Sequence, residues 1–136
     1  MDIKVYTPEE QGDTFYAAMG PFFASRAVRR ELPYICNSPT TTWVLTYEEE
    51  KVVAFAAFEV KKNEVTLNHA YVLPDHRGKG YYSGLIAKRL ELLKGHTLPF
   101  KVAIRHKECV SKYEKYGFKT YKSTKNYTFM QHEPQI

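Results

Sequence analysis

Tyr71-Val72-Leu73-Pro74-Asp75-His76-Arg77-Gly78-Lys79-Gly80-Tyr81-Tyr82 carries the chain out of an aromatic and β-branched run, through a proline and two glycines, into apolar residues of helical spacing. The stretch reads as a strand end, a glycine loop and a helix start. Glycines let successive backbone N–H groups turn toward one point, and the first turn of a helix contributes about half a positive charge. Arg77 and Lys79 add full charges. Such a loop suits a phosphate group, although the same glycines would also serve a tight β-to-α connection with no ligand.

Downstream, Tyr82, Leu85, Ile86, Leu90 and Leu93 mark one face of a helix that ends near Gly95. Residues 100–104 read as a strand. Cys109, Tyr113 and Tyr116 mark a short helix stopped by Gly117, and residues 118–122 and 127–131 a closing strand pair. Upstream, residues 41–47, 51–60 and 64–73 are three consecutive antiparallel strands, the first two joined at the acidic tip Glu48-Glu49-Glu50. The N-terminal part predicts a short strand over residues 2–7, then two short helices from Phe15, Met19, Phe22, Phe23, Ala27 and Val28, interrupted at Gly20-Pro21. The order β-α-α-β-β-β-α-β-α-β-β describes one mixed α/β domain over residues 1–136.

A length of 136 residues with 43% hydrophobic content supports one core without metal or disulfide staples. Cys36 and Cys109 are too few for a disulfide framework, and Cys36 is read as structural. No Cys/His cluster has zinc-site spacing, so no metal is expected. Residues 1–7 read without the basic lead and apolar run of a signal peptide, and no stretch approaches the roughly 20 apolar residues of a membrane helix, so neither is expected. The expectation is a soluble, cytoplasmic protein, monomeric or homodimeric, with no membrane partner. The net charge of +5 divides unevenly. Residues 1–60 hold five Lys/Arg against nine Asp/Glu, a balance of −4, and residues 61–136 fifteen against six, a balance of +9. An anion is therefore expected on the C-terminal half.

A second segment, Arg105-His106-Lys107-Glu108-Cys109-Val110-Ser111-Lys112-Tyr113-Glu114-Lys115-Tyr116-Gly117-Phe118, is a strand end, a short helix and a Gly-Phe entry to another strand. In this order the two segments resemble the GNAT superfamily of acyl-CoA-dependent N-acetyltransferases. The pyrophosphate signature Arg/Gln-x-x-Gly-x-Gly/Ala is matched from Arg77 to Gly80, with Tyr82 where Gly or Ala is usual. A Tyr-Glu-Lys-x-Gly-Phe box is matched in full by residues 113–118, and His106 stands where an Asn often lies seven residues before the tyrosine. Element order agrees over nearly the whole chain. The resemblance implies a central, mostly antiparallel mixed sheet of about seven strands flanked by about four helices.

The resemblance also implies roles. Acetyl-CoA would be the acyl donor and an amine the acceptor. Backbone groups near Val72 and Leu73 would meet the pantetheine arm, and Arg77, Gly78, Lys79, Gly80, Tyr81 and Tyr82 would hold the pyrophosphate. Cys109 falls where a small residue faces the cofactor. Tyr113 would be the general acid, and the chemistry agrees, since a phenol of ordinary pKa about 10 stays protonated at neutral pH and can return a proton to a thiolate of pKa about 8.5.

The general base is less defined. Members of the superfamily use Glu or His where this chain has Asn68 and Thr66, neither of which takes a proton. A water held by Asn68 ranks first, with Glu59 and His106 as the other candidates. Strand alternation sends His69 to the opposite face unless a bulge intervenes. Phe22, Phe23, Arg26, Arg29, Arg30 and Tyr34 are expected around the acceptor. Two other functions stay open at this point. One is a nucleic-acid-directed protein using the basic, aromatic residues 119–127, and the other a non-catalytic acyl-CoA sensor, suggested by Tyr82 and the missing base carboxylate.

Overall fold

The computed structural model describes residues 2–132. β1 (Asp2–Tyr6) pairs antiparallel with β2 (Thr41–Glu48), β2 with β3 (Lys51–Val60), and β3 with β4 (Val65–Val72). β5 (Phe100–Ile104) lies parallel to β4, and β7 (Thr128–His132) inserts between β5 and the edge strand β6 (Lys119–Ser123). The result is a seven-stranded sheet in the order β1-β2-β3-β4-β5-β7-β6. With α1 (Asp13–Phe23), α2 (Arg26–Glu31), α3 (Tyr81–Leu92) and α4 (Val110–Glu114), the element order is the one read from the sequence. Among the described residues no helix is long and apolar enough to cross a membrane.

The sheet buries both faces. On one, Phe15 and Met19 of α1 and Val28 of α2 pack against Trp43, Leu45, Phe55, Ala57 and Tyr71. On the other, Tyr81 and Leu85 of α3 cover Val44, Ala54, Ala56 and Val72. Further along, Ile86 of α3 and Leu93 just after it join Leu67, Phe100 and Val102, with Tyr113 and Phe118 in the same cluster.

Two features of the sheet shape the site. The parallel β4/β5 ladder consists of Val65↔Phe100, Thr66↔Lys101 and Leu67↔Val102 and goes no further, so the ends of the two strands part. In β3/β4, Ala57 faces Asn68 but Phe55 faces Tyr71, which leaves Ala56 opposite both His69 and Ala70. His69 takes a φ of 53°, in the left-handed region. This is a bulge, and it overrides the simple alternation that would have turned His69 away from Asn68.

The expected interruption at Gly20-Pro21 is also corrected. α1 runs through both residues to Phe23, and the break falls at Ala24-Ser25. Continuing one turn keeps Phe22 and Phe23 on the face that meets Phe55 and Trp43, and Ser25 then caps α2 by accepting from the Val28 N–H at 3.2 Å. The acidic tip between β2 and β3 narrows to Glu49 and Glu50, both at positive φ, the backbone of a two-residue hairpin turn whose twist suits the flanking strands.

Candidate active site

Where β4 and β5 part, two cavities open side by side. The larger, of about 360 Å³, lies at the start of α3 and is walled by Val72, Arg77, Gly78, Gly80, Tyr81 and Lys112, among others. Gly78 and Gly80 adopt φ of 81° and 88°, which an L side chain resists. No side chain caps α3, and the first backbone bond to its cap residue comes from Gly84 N–H to Gly80 O at 3.0 Å. The N–H groups of Tyr81, Tyr82 and Ser83 therefore have no partner within the helix, the arrangement that receives an anion.

The side chains around this cradle are tied together. The Tyr81 hydroxyl donates to the Glu48 carboxylate, and His76 Nδ1 lies 3.2 Å from the same group. The Tyr81 bond is the main reason that the Glu48 carboxyl ionises below its usual range, with Lys79 and His76 contributing. Arg77 is likewise engaged. Its Nε donates to Val72 O at 2.9 Å and its Nη2 to both Glu31 oxygens at 3.1 and 2.9 Å. The Leu73 N–H donates to Val53 O at 2.9 Å. Lys79 and Leu73 stand outside the cavity wall.

The smaller cavity, of about 190 Å³, lies on the β5 side and brings together Asn68, His69, His106, Cys109 and Tyr113, with Tyr34 and Tyr127 at its rim. Asn68 Nδ2 donates to Thr66 Oγ1 at 3.1 Å, joining the two polar residues of β4. His69, turned by the bulge, stacks on Trp43 with ring centroids 5.6 Å apart and planes 13° apart. Trp43 is itself fixed by donating to Asn37 Oδ1 at 2.8 Å. Burial lowers the His69 pKa to about 4, helped by the Arg89 charge and opposed by Glu59. The ring is therefore neutral at pH 7.

Glu59 accepts from the Thr40 hydroxyl and lies outside both cavity walls, so its influence on the site is electrostatic, through His69. Of the residues expected around the acceptor, Tyr34 reaches the wall. Phe22 and Phe23 pack into the core, and Arg26, Arg29 and Arg30 line neither cavity, Arg29 Nε donating instead to Phe23 O at 2.8 Å. The basic run of residues 119–127 forms β6 and its turn. There Lys101 Nζ sits 5.6 Å from the Tyr121 ring centre and Lys122 Nζ 5.4 Å from that of Phe129.

Glu31, Tyr82, His106 and Cys109 belong to both cavities. Tyr82 is half-buried and meets Tyr113 edge to face at 6.0 Å. Burial raises its phenol well above the ordinary value, and the neighbouring Tyr113 and Cys109 add to the rise. Burial likewise raises the Cys109 thiol, which keeps it protonated and a poor nucleophile. Tyr82 thus stands in the wall of both cavities at once, beside the glycine loop on one side and Tyr113 on the other. Tyr113 is 1% exposed, and its hydroxyl accepts from Arg89 Nη2 at 2.8 Å.

Two residues of this site escape a motif reading. Arg89 lies four residues after Leu85 and three after Ile86, on the apolar stripe of α3, and a lone charge on such a stripe was the available signal. Glu31 closes α2, where the helix dipole disfavours an acid, and the two arginines before it obscured that anomaly.

Two central strands thus part beside an uncapped helix start, with a buried tyrosine in the wall of the cavity on the β5 side. The family model for the acetyltransferase (GNAT) domain matches residues 38–120, more than half of the chain, and the protein belongs to that acetyltransferase family. Solved structures agree in fold. Escherichia coli ElaA is 18% identical with a TM-score of 0.78, over 97% of this chain and 99% of that one. An acyl-CoA N-acyltransferase from Pseudomonas aeruginosa is 13% identical with a TM-score of 0.77, over 96% and 98%. Campylobacter jejuni N-acetyltransferase PseH in complex with acetyl coenzyme A is 12% identical with a TM-score of 0.66, over 98% and 100%. A search of curated proteins gives no match.

Proposed function

We propose that the protein transfers an acetyl group from acetyl-CoA to a primary amine by direct attack within a ternary complex, with Tyr113 as general acid. The observation that carries this reading is the position of Tyr113, buried in the wall of the smaller cavity and in edge-to-face contact with Tyr82, which with Cys109 is among the residues lining both cavities. In this arrangement the free N–H groups of α3 and the loop of residues 77–80 receive the pyrophosphate, and the parted strands receive the pantetheine arm. The amine occupies the smaller cavity. Its nitrogen attacks the thioester carbonyl carbon, the C–S bond breaks, and the electron pair leaves on sulfur, which takes the Tyr113 hydroxyl proton. A water held by Asn68, whose amide is fixed by donating to Thr66 Oγ1, removes the proton from the amine, with His106 as a second candidate on the same wall. His69, with a pKa of about 4, is too weak a base for that task and serves as a neutral wall.

The test is turnover of acetyl-CoA against a panel of small amines, amino acids and N-terminal peptides, read by release of the CoA thiol. Tyr113→Phe is expected to lower kcat by on the order of 10² to 10⁴ with CoA affinity little changed. Unchanged turnover of a confirmed acceptor in that variant would remove Tyr113 from the acid role.

A further inference from the structure

Arg89 is 0% exposed, an unusual place for a guanidinium. All its bonds run to neutral oxygens: Nε to Leu85 O at 3.2 Å, Nη1 to Ala57 O at 3.3 Å and Nη2 to Tyr113 Oη at 2.8 Å. A buried cation normally needs a counter-charge, and among the described residues no carboxylate stands within ion-pair distance of this one. Of its three partners, two are backbone carbonyls that stay neutral, and the third is a hydroxyl that can ionise. The one group able to become its counter-ion is the side chain assigned above as general acid.

We infer that Arg89 is a positioning residue for Tyr113, holding the phenol oxygen so that its proton faces the reaction space and compensating the tyrosinate left when that proton is given away. The inference rests on the general-acid reading of Tyr113. Because the oxygen already accepts from Nη2, its own O–H is free to aim elsewhere. The proton and charge balance closes. The C–S electron pair goes to sulfur, the Tyr113 proton follows it to give the thiol, and the phenolate faces a fixed guanidinium that was in place before the reaction began. Recovery of a proton from the one lost by the amine restores the phenol. The other polar side chains around Tyr113 do not supply this charge. Tyr82 of α3 and Cys109 are both held protonated by burial, and His69 across the cavity is neutral. Lys112 of α4 is directed onto the Tyr82 ring, 5.1 Å from its centre, and His106 lies at the mouth facing Glu31 at 3.6 Å.

The experiment labels the tyrosines with ¹³C at Cζ, identifies the Tyr113 signal by its loss in Tyr113→Phe, and follows it with pH in wild type, Arg89→Met and Arg89→Lys. Met preserves volume without charge, and Lys preserves charge. The ionisation midpoint of Tyr113 is expected to rise by about one pH unit or more in Arg89→Met, or to leave the folded range altogether, and to return most of the way in Arg89→Lys. Equal midpoints in wild type and Arg89→Met, or a wild-type signal that never titrates before alkaline unfolding, would overturn the inference. A second arm measures CoA thiol release from acetyl-CoA alone, with water as acceptor. Arg89→Met should lower it about tenfold or more in wild type and less than about twofold in the Tyr113→Phe background, whereas independent losses in the two backgrounds would argue for a merely structural arginine. If Tyr113→Phe by itself leaves thiol release unchanged, the general-acid reading fails while the NMR shift still reports the coupling. If the shift is absent, the Arg89 inference fails whatever Tyr113→Phe does.

Discussion

The two cavities that meet at Tyr82 are made of different materials. The larger holds the conformational features, two glycines at positive φ, an uncapped helix start and a salt-bridged arginine, among side chains several of which are charged. The smaller is built from side chains contributed by β4, β5, the segment after α2 and the turn before α4, most of them aromatic or neutral. A cavity of the first kind is tuned to one ligand chemistry and has little freedom to vary, because the donors are common to every chain that bends this way. One of the second kind can change its guest by exchanging a side chain. On the proposed function, the contrast would put specificity in the smaller cavity, with the anion side set by conformation and the acceptor side by composition.

The strongest attempt to break this contrast acts on conformation alone. Around Gly80 a Cβ would meet nothing within 4 Å, so a substitution there is opposed by its φ of 88° and not by crowding. Gly80→Val should cost about 2 kcal/mol in stability and weaken CoA binding roughly thirtyfold, measured by urea unfolding and calorimetric titration with CoA. Binding that survives unchanged would mean that side chains and not backbone hold the anion.

An intermediate effect probes the neutral character of the smaller cavity. His69 has a folded pKa of about 4 against 6.5 for the free side chain, so between these values the unfolded chain binds the proton and the folded one does not. Stability is therefore full above pH 6.5 and declines as the pH falls toward 4. By pH 5 this group alone should have removed about 2 kcal/mol. In His69→Gln the difference in unfolding free energy between pH 7 and pH 5 should shrink by about that amount, and an undiminished difference would show that His69 is not the buried neutral wall described above.

The smallest effect sharpens the boundary between the two. Glu31 belongs to both walls and pairs with Arg77 at 2.9 Å and with His106 at 3.6 Å. Glu31→Gln removes a negative charge from the mouth and releases Arg77 toward an anion. CoA affinity should rise by up to about fivefold at low salt, and the gain should fade as ionic strength increases. A loss of affinity would mean that Glu31 holds Arg77 in its working position.

This difference in material also explains what could be read in advance. The glycine loop, the Tyr-Glu-Lys-x-Gly-Phe box and the strand order were legible because local backbone demands leave a local signature. The bulge at His69 left none. Nothing in Asn68-His69-Ala70 requires a positive φ, and the irregularity arises from how β3 and β4 share their register around Ala56. The end of α1 at Phe23 departs from the sequence pattern for a related reason. Pro21 signals a break, but burial of Phe22 and Phe23 and the cap at Ser25 together outweigh it. Arg89 was hidden by its surroundings, since its partners Ala57 and Tyr113 lie 32 and 24 residues away.

The short seam between β4 and β5 has a consequence for motion. The β4/β5 ladder has three residue pairs, yet the side-chain layer beneath crosses the gap, because Ile86 of α3 and Leu93 just after it belong to one buried cluster with Leu67 of β4 and Phe100 of β5. α3 is therefore the keel of the sheet, and its N-terminus is also the end that the proposed function gives to the pyrophosphate. A ligand seated at one end of this helix would stiffen both halves at once. Amide hydrogen exchange on adding CoA should slow in β5 as well as in β4, although β5 contributes no strand residue to the larger cavity.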